Sequence, residues 1–338
     1  MGDRGESMVT SKDVAKLAGV SQATVSRVLN TPDVVKKETV NKVMNAIKEL
    51  NYIPNANARS LVQNKIGTII LLSGPLSNPF FVDTTSAIVN YASKRDYRVQ
   101  VQFVNDNNLE KAYASALEQK NDGIILSCIL EDDPIFDKLK GLGIPFITYN
   151  RKHKSNKNFV EIDNFHAGEL SFQHMKDLGH ENIAWIGGQL NVTTFKNRYQ
   201  GFTNAVKEAG AKVNPSYVIH DIISKSDLEE AFYNLLHLRT PPTAICAATD
   251  SIALDLIDIA KKADISIPEE ISIMGIDNVE ISQHGMVELT TVGSKYKKNL
   301  GYIAIQELFS MMEDENNSCN CITEPVKLFV RKTTQRLN

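Results

Sequence analysis

Ala23, Arg27 and Asn30 stand at helical spacing on the side of a short segment opposite Val25, Val28 and Leu29, with Ser21 ahead of them as an N-cap and Gln22 at the leading end. Small side chains interleaved with amide and guanidinium groups on one helical face suit hydrogen bonding to base edges in a DNA major groove. A helical hairpin that met no nucleic acid would place no such demand on that face. The preceding residues position it. Ala15, Gly19 and Val25 lie at offsets of zero, four and ten, and Val14, Ala18 and Val28 fill the apolar positions around them. A small alanine lets two helices approach, the glycine permits a left-handed turn between them, and the valine closes their shared core. Residues 11–30 therefore read as a helix-turn-helix.

Charge is distributed in keeping with that reading. The 338-residue chain carries a net −3 and is 42% hydrophobic, ordinary for globular folds of two or three domains. Eight basic and four acidic residues between positions 8 and 64 give that stretch +4, whereas the residues after it sum to −6. Only the N-terminal module suits a polyanion, and the acidic remainder disfavours adventitious DNA contact. Met1 to Ser7, ahead of a second methionine at Met8, read as an alternative start. No signal peptide opens the chain and no run reaches the roughly 18 apolar residues of a membrane span, so a cytoplasmic protein is expected. Cys128, Cys246, Cys319 and Cys321 include one close pair without a histidine or a second pair, so ordinary thiols and no metal are expected.

Periodicity supplies the rest of the frame. Val40, Val43, Ile47 and Leu50 share one face of a third helix over 39–50, which Pro54 ends. Residues 55–64 have helical spacing but are too short to hold a helix alone in water, so they are expected to order against a partner. From Ile66 onward short apolar strands (66–72, 98–104, 123–127, 145–148, 183–187, 243–248, 271–275 and near 326–330) alternate with amphipathic helices (83–95, 109–120, 166–178, 198–209, 251–263). That alternation implies parallel sheets covered by helices on both faces, two of them, with a seam near 160–165.

The residues from Lys12 to Asn30, KDVAKLAGVSQATVSRVLN, and from Asn51 to Leu61, NYIPNANARSL, resemble the lactose/galactose repressor family of bacterial transcription regulators, and the resemblance runs over essentially the whole chain from Met8. It implies an α plus α/β architecture. A three-helix helix-turn-helix head (8–54) and a short hinge helix (55–64) precede a two-lobed, periplasmic-binding-protein-like body of two doubly wound parallel sheets (65–338). The N-lobe would take about 65–163 with 293–325, the C-lobe about 164–292 with 326–338. It further implies a homodimer on a palindromic double-stranded operator, with Gln22 and Ala23 on base edges and Arg27 on base or phosphate. Ser21, Thr24 and Asn30 would hold phosphates. In the hinge, Asn55, Ala58 and Arg59 would face the minor groove and Leu61 would wedge between base pairs. An exposed leucine in a marginal helix is a poor core residue and a good intercalating one.

Five stretches of the body resemble the sugar-contacting positions of this family: Asn78 with Phe80 and Phe81, Asn150 with Arg151, Arg198, Thr249, and Asp277. Most stand at strand C-terminal ends, where open α/β sheets bind ligands. Aromatic rings there can stack on a pyranose or furanose face, and an arginine fork beside a carboxylate grips vicinal hydroxyls. A neutral polyol fits this set better than an anion, and a sugar or sugar phosphate is the expected effector. Asn150 stands where many sugar binders have Asp, and Thr249 where many have Asn, which points to an altered hydroxyl pattern or a ligand that is not a simple sugar. Taken singly, each has a plainer role: Phe80 and Phe81 in a core, Arg198 in a surface ion pair, Asp277 as a cap.

A repressor of a carbohydrate-use operon, released from DNA by its effector, is the expected function. A solute-binding protein of the same fold would need export, and a variant would answer mainly to a phosphorylated carrier protein. No cofactor and no enzymatic activity are expected, since no dinucleotide loop, phosphate loop or nucleophile elbow occurs. His166, His174 and His180 lack ligand spacing and are expected at the solvated surface. The chain ends at Asn338 without a heptad tail, which favours a dimer over a larger assembly.

Overall fold

The computed structural model describes residues 9–52, 65–104, 109–296, 299–313 and 320–337. The expected hinge helix, with Asn55, Ala58, Arg59 and Leu61, lies outside the described residues. The head comprises α1 (Ser11–Ala18), α2 (Gln22–Asn30) and α3 (Lys37–Glu49). Thr10 and Asp13 form a reciprocal capping box at the start of α1. Gly19 ends it at φ +66°, which lets the Val20 N–H return to the Ala15 carbonyl at 3.0 Å. Val14, Ala15, Val25, Val28, Val43 and Ala46 close the three-helix core.

The body holds two six-stranded sheets. The first runs in the order β11 (Cys321–Glu324), β5 (Phe159–Ile162), β4 (Phe146–Tyr149), β3 (Gly123–Leu126), β1 (Thr68–Ser73) and β2 (Arg98–Phe103), all parallel. The second runs β12 (Val326–Phe329), β10 (Thr290–Ser294), β9 (Ser272–Ile276), β8 (Ala244–Ala247), β6 (Ile183–Ile186) and β7 (Val218–Ile219), with only β12 antiparallel to its neighbour. The chain passes between the sheets three times, after β5, after β10 and after β11. Strands buried on both faces read as continuous apolar runs. Ile69 and Leu71 pack on one side of the first sheet in the same cluster as Ile88 and Leu308, while Ile70 and Leu72 pack on the other with Tyr113 and Phe136.

Helices α4 (Pro79–Ser93), α5 (Leu109–Glu118), α6 (Ile135–Gly141) and α11 (Leu300–Glu313) are interleaved with the first sheet's strands; α7 (Asn164–Asp177), α8 (Thr193–Glu208), α9 (Lys225–Leu236) and α10 (Asp250–Lys262) with the second's. Two glycines bring α7 and α8 into backbone contact. A Cβ on Gly168 would sit 1.9 Å from the Arg198 carbonyl oxygen, and one on Gly201 would sit 1.8 Å from that of Phe165.

Two expectations need correction. Arg198 lies in the middle of α8 rather than at its start, because the helix already begins at Thr193. His174 and His180 are buried instead of solvated: the C-terminal segment returns to bond them, through the Thr334 hydroxyl to His174 at 3.0 Å and the Gln335 carbonyl to His180 at 3.1 Å. No helix among the described residues is long and apolar enough to cross a membrane.

Candidate functional site

In the head, Ser21 caps α2: its Oγ accepts the Thr24 N–H at 3.1 Å and lies 2.9 Å from the Thr24 hydroxyl. Gln22 donates to Ser11 Oγ at 2.8 Å and Asn30 to Ser26 Oγ at 3.2 Å. Ser21, Gln22, Ala23 and Arg27 are exposed, Thr24 and Asn30 half-buried. Arg27 makes no ion pair among the described residues. The outer face of α2 is thus a set of donors and short side chains held by local bonds, with the N-terminal end of the helix leading.

In the body, Asn78, Phe80, Phe81, Asn150, Arg151, Arg198, Thr249 and Asp277 surround one cavity, together with Val192, Thr194 and Phe195. Its volume is about 50 Å³. Asp277 also borders a second cavity of about 630 Å³, lined among others by Asp83, Glu280, Ser294, Lys295, Tyr296, Asn299 and Lys327.

The C-lobe wall of the first cavity is built around Arg198, which is 1% exposed. Its Nε donates to Asn164 Oδ1 at 2.9 Å, Nη1 to the Ala248 carbonyl at 2.6 Å, and Nη2 to Asp277 Oδ1 at 2.7 Å. Asn164 in turn donates to Glu161 Oε2 at 3.1 Å, and Lys152 pairs with Glu161 Oε1 at 2.6 Å. A buried charge is tolerable only when paired and bonded in this way. Asp277 sits at φ +139° and Asn278 at +52°, an uncommon backbone for side-chain-bearing residues. The Asp277 N–H to the Val292 carbonyl at 2.7 Å and Arg331 to Asn278 Oδ1 at 2.6 Å hold the turn.

Behind Asp277 lies Asp250, fully buried, accepting from the Thr291 hydroxyl and from the Val279 N–H at 3.0 Å. Burial, and then the neighbouring Asp277 charge, push its carboxyl up to about 7. Burial also raises Asp277, but the Arg198 guanidinium opposes that.

The N-lobe wall differs. Asn78 Oδ1 caps α4 by accepting the Phe80 N–H at 3.0 Å, and Phe81 packs into the core against Gly74, leaving half-buried Phe80 as the ring on this side. Asn150 takes φ +67°, a backbone that Asn tolerates well, and its carbonyl accepts the Thr194 hydroxyl across the cleft at 2.6 Å. On the C-lobe side, Thr249 caps α10 by accepting the Ile252 N–H at 3.2 Å.

Sequence reasoning missed Thr194, Phe195, Asn164 and Asp250. The first two fall inside α8 only once its true start is known. The last two bond the ligand-facing side chains or the turn that carries them, and no spacing marks that role.

A head that offers a groove-reading helix, and a two-sheet body with a polar cleft between its lobes, define a ligand-binding DNA regulator. The profile described as "Bacterial regulatory proteins, lacI family" matches residues 10–55, and a periplasmic binding protein-like domain matches residues 172–334. The HTH-type transcriptional repressor PurR of Pasteurella multocida is 32% identical over 333 residues, 97% of this chain and 99% of that protein. PurR of Aliivibrio salmonicida is 32% identical over 98% of this chain and all of its own length. The lac repressor dimer, solved bound to operator and the anti-inducer ONPF, is 26% identical over 97% of this chain with a TM-score of 0.84. The chain belongs to the lacI family of bacterial regulatory proteins, and it is a DNA-binding transcriptional regulator with a small-molecule-binding body. The named relatives are repressors rather than enzymes.

Proposed function

We propose that the protein is a cytoplasmic homodimer that represses transcription from a palindromic operator and is controlled by a small polar ring compound bound in the interlobe cleft. The observation that supports this most is the convergence of Arg198, Asp277, Phe80, Phe195 and Thr194 from both lobes on one cavity. At about 50 Å³ that cavity is far below the several hundred Å³ of a typical ligand site, so binding has to spread the lobes or swing the rings aside. A ligand that favours one lobe geometry shifts the spacing of paired heads and with it operator affinity. In this reading Gln22, Ala23 and Arg27 contact bases, while Ser21, Thr24 and Asn30 hold phosphates. The hinge residues Asn55, Ala58, Arg59 and Leu61 enter the minor groove.

A sugar is the first candidate occupant, since a guanidinium beside a carboxylate matches vicinal hydroxyls. A purine is the second, favoured by the relatives named PurR, and Phe80 or Phe195 would stack on it. Fluorescence anisotropy with operator DNA is the test, run with glucose, galactose, hypoxanthine and guanine. One compound changing the operator Kd at least tenfold is expected. Unchanged DNA binding with a compound that calorimetry shows bound would refute effector control. Arg27→Ala is expected to weaken operator binding by about 1–3 kcal/mol.

A further inference from the structure

Among the described residues, three cations at or beside the smaller cavity are neutralised by carboxylates. Lys152 pairs with Glu161 at 2.6 Å, Lys196 with Glu131 at 2.9 Å, and Arg198 with Asp277 at 2.7 Å. Arg151 is a fourth cation there. It lines the cavity, is half-buried, makes no ion pair among the described residues, and its Nε is buried without a hydrogen-bond partner. Asp133 forms no ion pair with it among the described residues; its carboxylate accepts from the Tyr113 hydroxyl at 2.7 Å and the Ile135 N–H at 3.1 Å. Asp250 cannot serve, because it stands behind Asp277 on the other wall and bonds Thr291 and Val279.

A cleft that leaves one guanidinium uncompensated and one buried donor unmet is a cleft awaiting an acceptor that brings charge, since such groups are normally paired. We propose that Arg151 anchors an anionic group on the effector, so that the effector is a polar ring compound bearing a carboxylate or a phosphate. This rests on the cleft being the effector site. It departs from the preference for a neutral polyol drawn from residue types: that preference rested on an arginine beside a carboxylate, Arg198 and Asp277 are that pair, and Arg151 stands outside it. A planar guanidinium fork accepts either anion through two parallel bonds.

The test uses the full-length protein and inorganic probes, with melting temperature read in chloride, acetate or phosphate at matched ionic strength. For the wild type, phosphate or acetate is expected to raise the melting temperature by about 2–4 °C over chloride. Which anion acts distinguishes a phosphoryl from a carboxylate group. Arg151→Gln is expected to lose that increment and to melt in chloride no lower than the wild type, because it removes an unpaired charge and not a structural bond. Arg151→Lys keeps part of the increment. An increment that survives in Arg151→Gln, or a substantial drop in its melting temperature in chloride, overturns the proposal. Glucose, glucose 6-phosphate, hypoxanthine and inosine monophosphate complete the set. Tighter binding of a neutral member than of its charged counterpart overturns the charge assignment and leaves the cleft reading standing, whereas no binding by any of them together with no anion increment overturns both.

Discussion

The two walls of the interlobe cleft solve opposite problems. On the C-lobe side, Arg198 spends three of its five N–H groups on Asn164, Ala248 and Asp277, and through Asn164 its network crosses to Glu161 and Lys152 of the N-lobe. On the N-lobe side, Arg151 is held by no such network. The first wall is organised before any ligand arrives; the second is left incomplete. Preorganisation lowers the ordering cost of binding, and an unmet charge gives the ligand something to supply.

The largest effect tests what the rigid wall rests on. Gly201→Ala places a Cβ 1.8 Å from the Phe165 carbonyl, a backbone clash that no rotamer relieves. A loss of about 4 kcal/mol or more, or failure to fold, is expected in urea unfolding. Next is Arg198→Met, which strands Asp277 and the Asn164 and Ala248 acceptors; about 3–5 kcal/mol of stability and all effector response should go. Equal stability of Arg198→Met and wild type would erase the contrast between the walls, given that Arg151→Gln is expected to cost nothing.

Asp250→Asn sharpens the contrast through pH. The carboxyl has an ordinary value of 3.8 and is pushed up to about 7 in the fold, so between those values the folded state binds more protons than the unfolded one. Its contribution to stability is therefore fully present below about pH 4 and is lost as pH rises through about 7. His174 and His180, whose burial lowers their values, act in the opposite direction by destabilising the fold as pH falls. The difference between wild type and Asp250→Asn isolates the carboxyl: wild-type melting temperature should fall relative to the variant from pH 5 to pH 8. A constant difference would mean that Asp250 stays ionised throughout. The smallest effect is expected from Thr194→Val, which removes the cross-cleft bond to the Asn150 carbonyl, at about 1 kcal/mol by calorimetry.

How much of this was legible depended on whether a residue's role is local. The head announced itself because Ala15, Gly19 and Val25 act within a single stretch of eleven residues. Strands such as 68–73 and 183–186 were visible because burial on both faces demands unbroken apolar runs. β10, TTVGS, was not: Thr290 and Thr291 are buried by bonding Thr333, Thr334 and Asp250, so its polarity hides its burial. β7 has only two residues. His174 and His180 were misplaced for the same reason, since their partners Thr334 and Gln335 arrive more than 150 residues later. The eight cleft candidates surround one cavity, yet the charge balance among them emerged only from distances.

Where Gly168 and Gly201 meet, α7 and α8 have no side chain between their backbones to absorb a shift. Arg198 rides on one helix, and the other begins at Asn164, two residues past the end of β5, where the chain first leaves the N-lobe sheet. Arg198 Nε bonds Asn164 at 2.9 Å, so the guanidinium and the head of the crossover helix are joined directly, and a displacement of one is a displacement of the other.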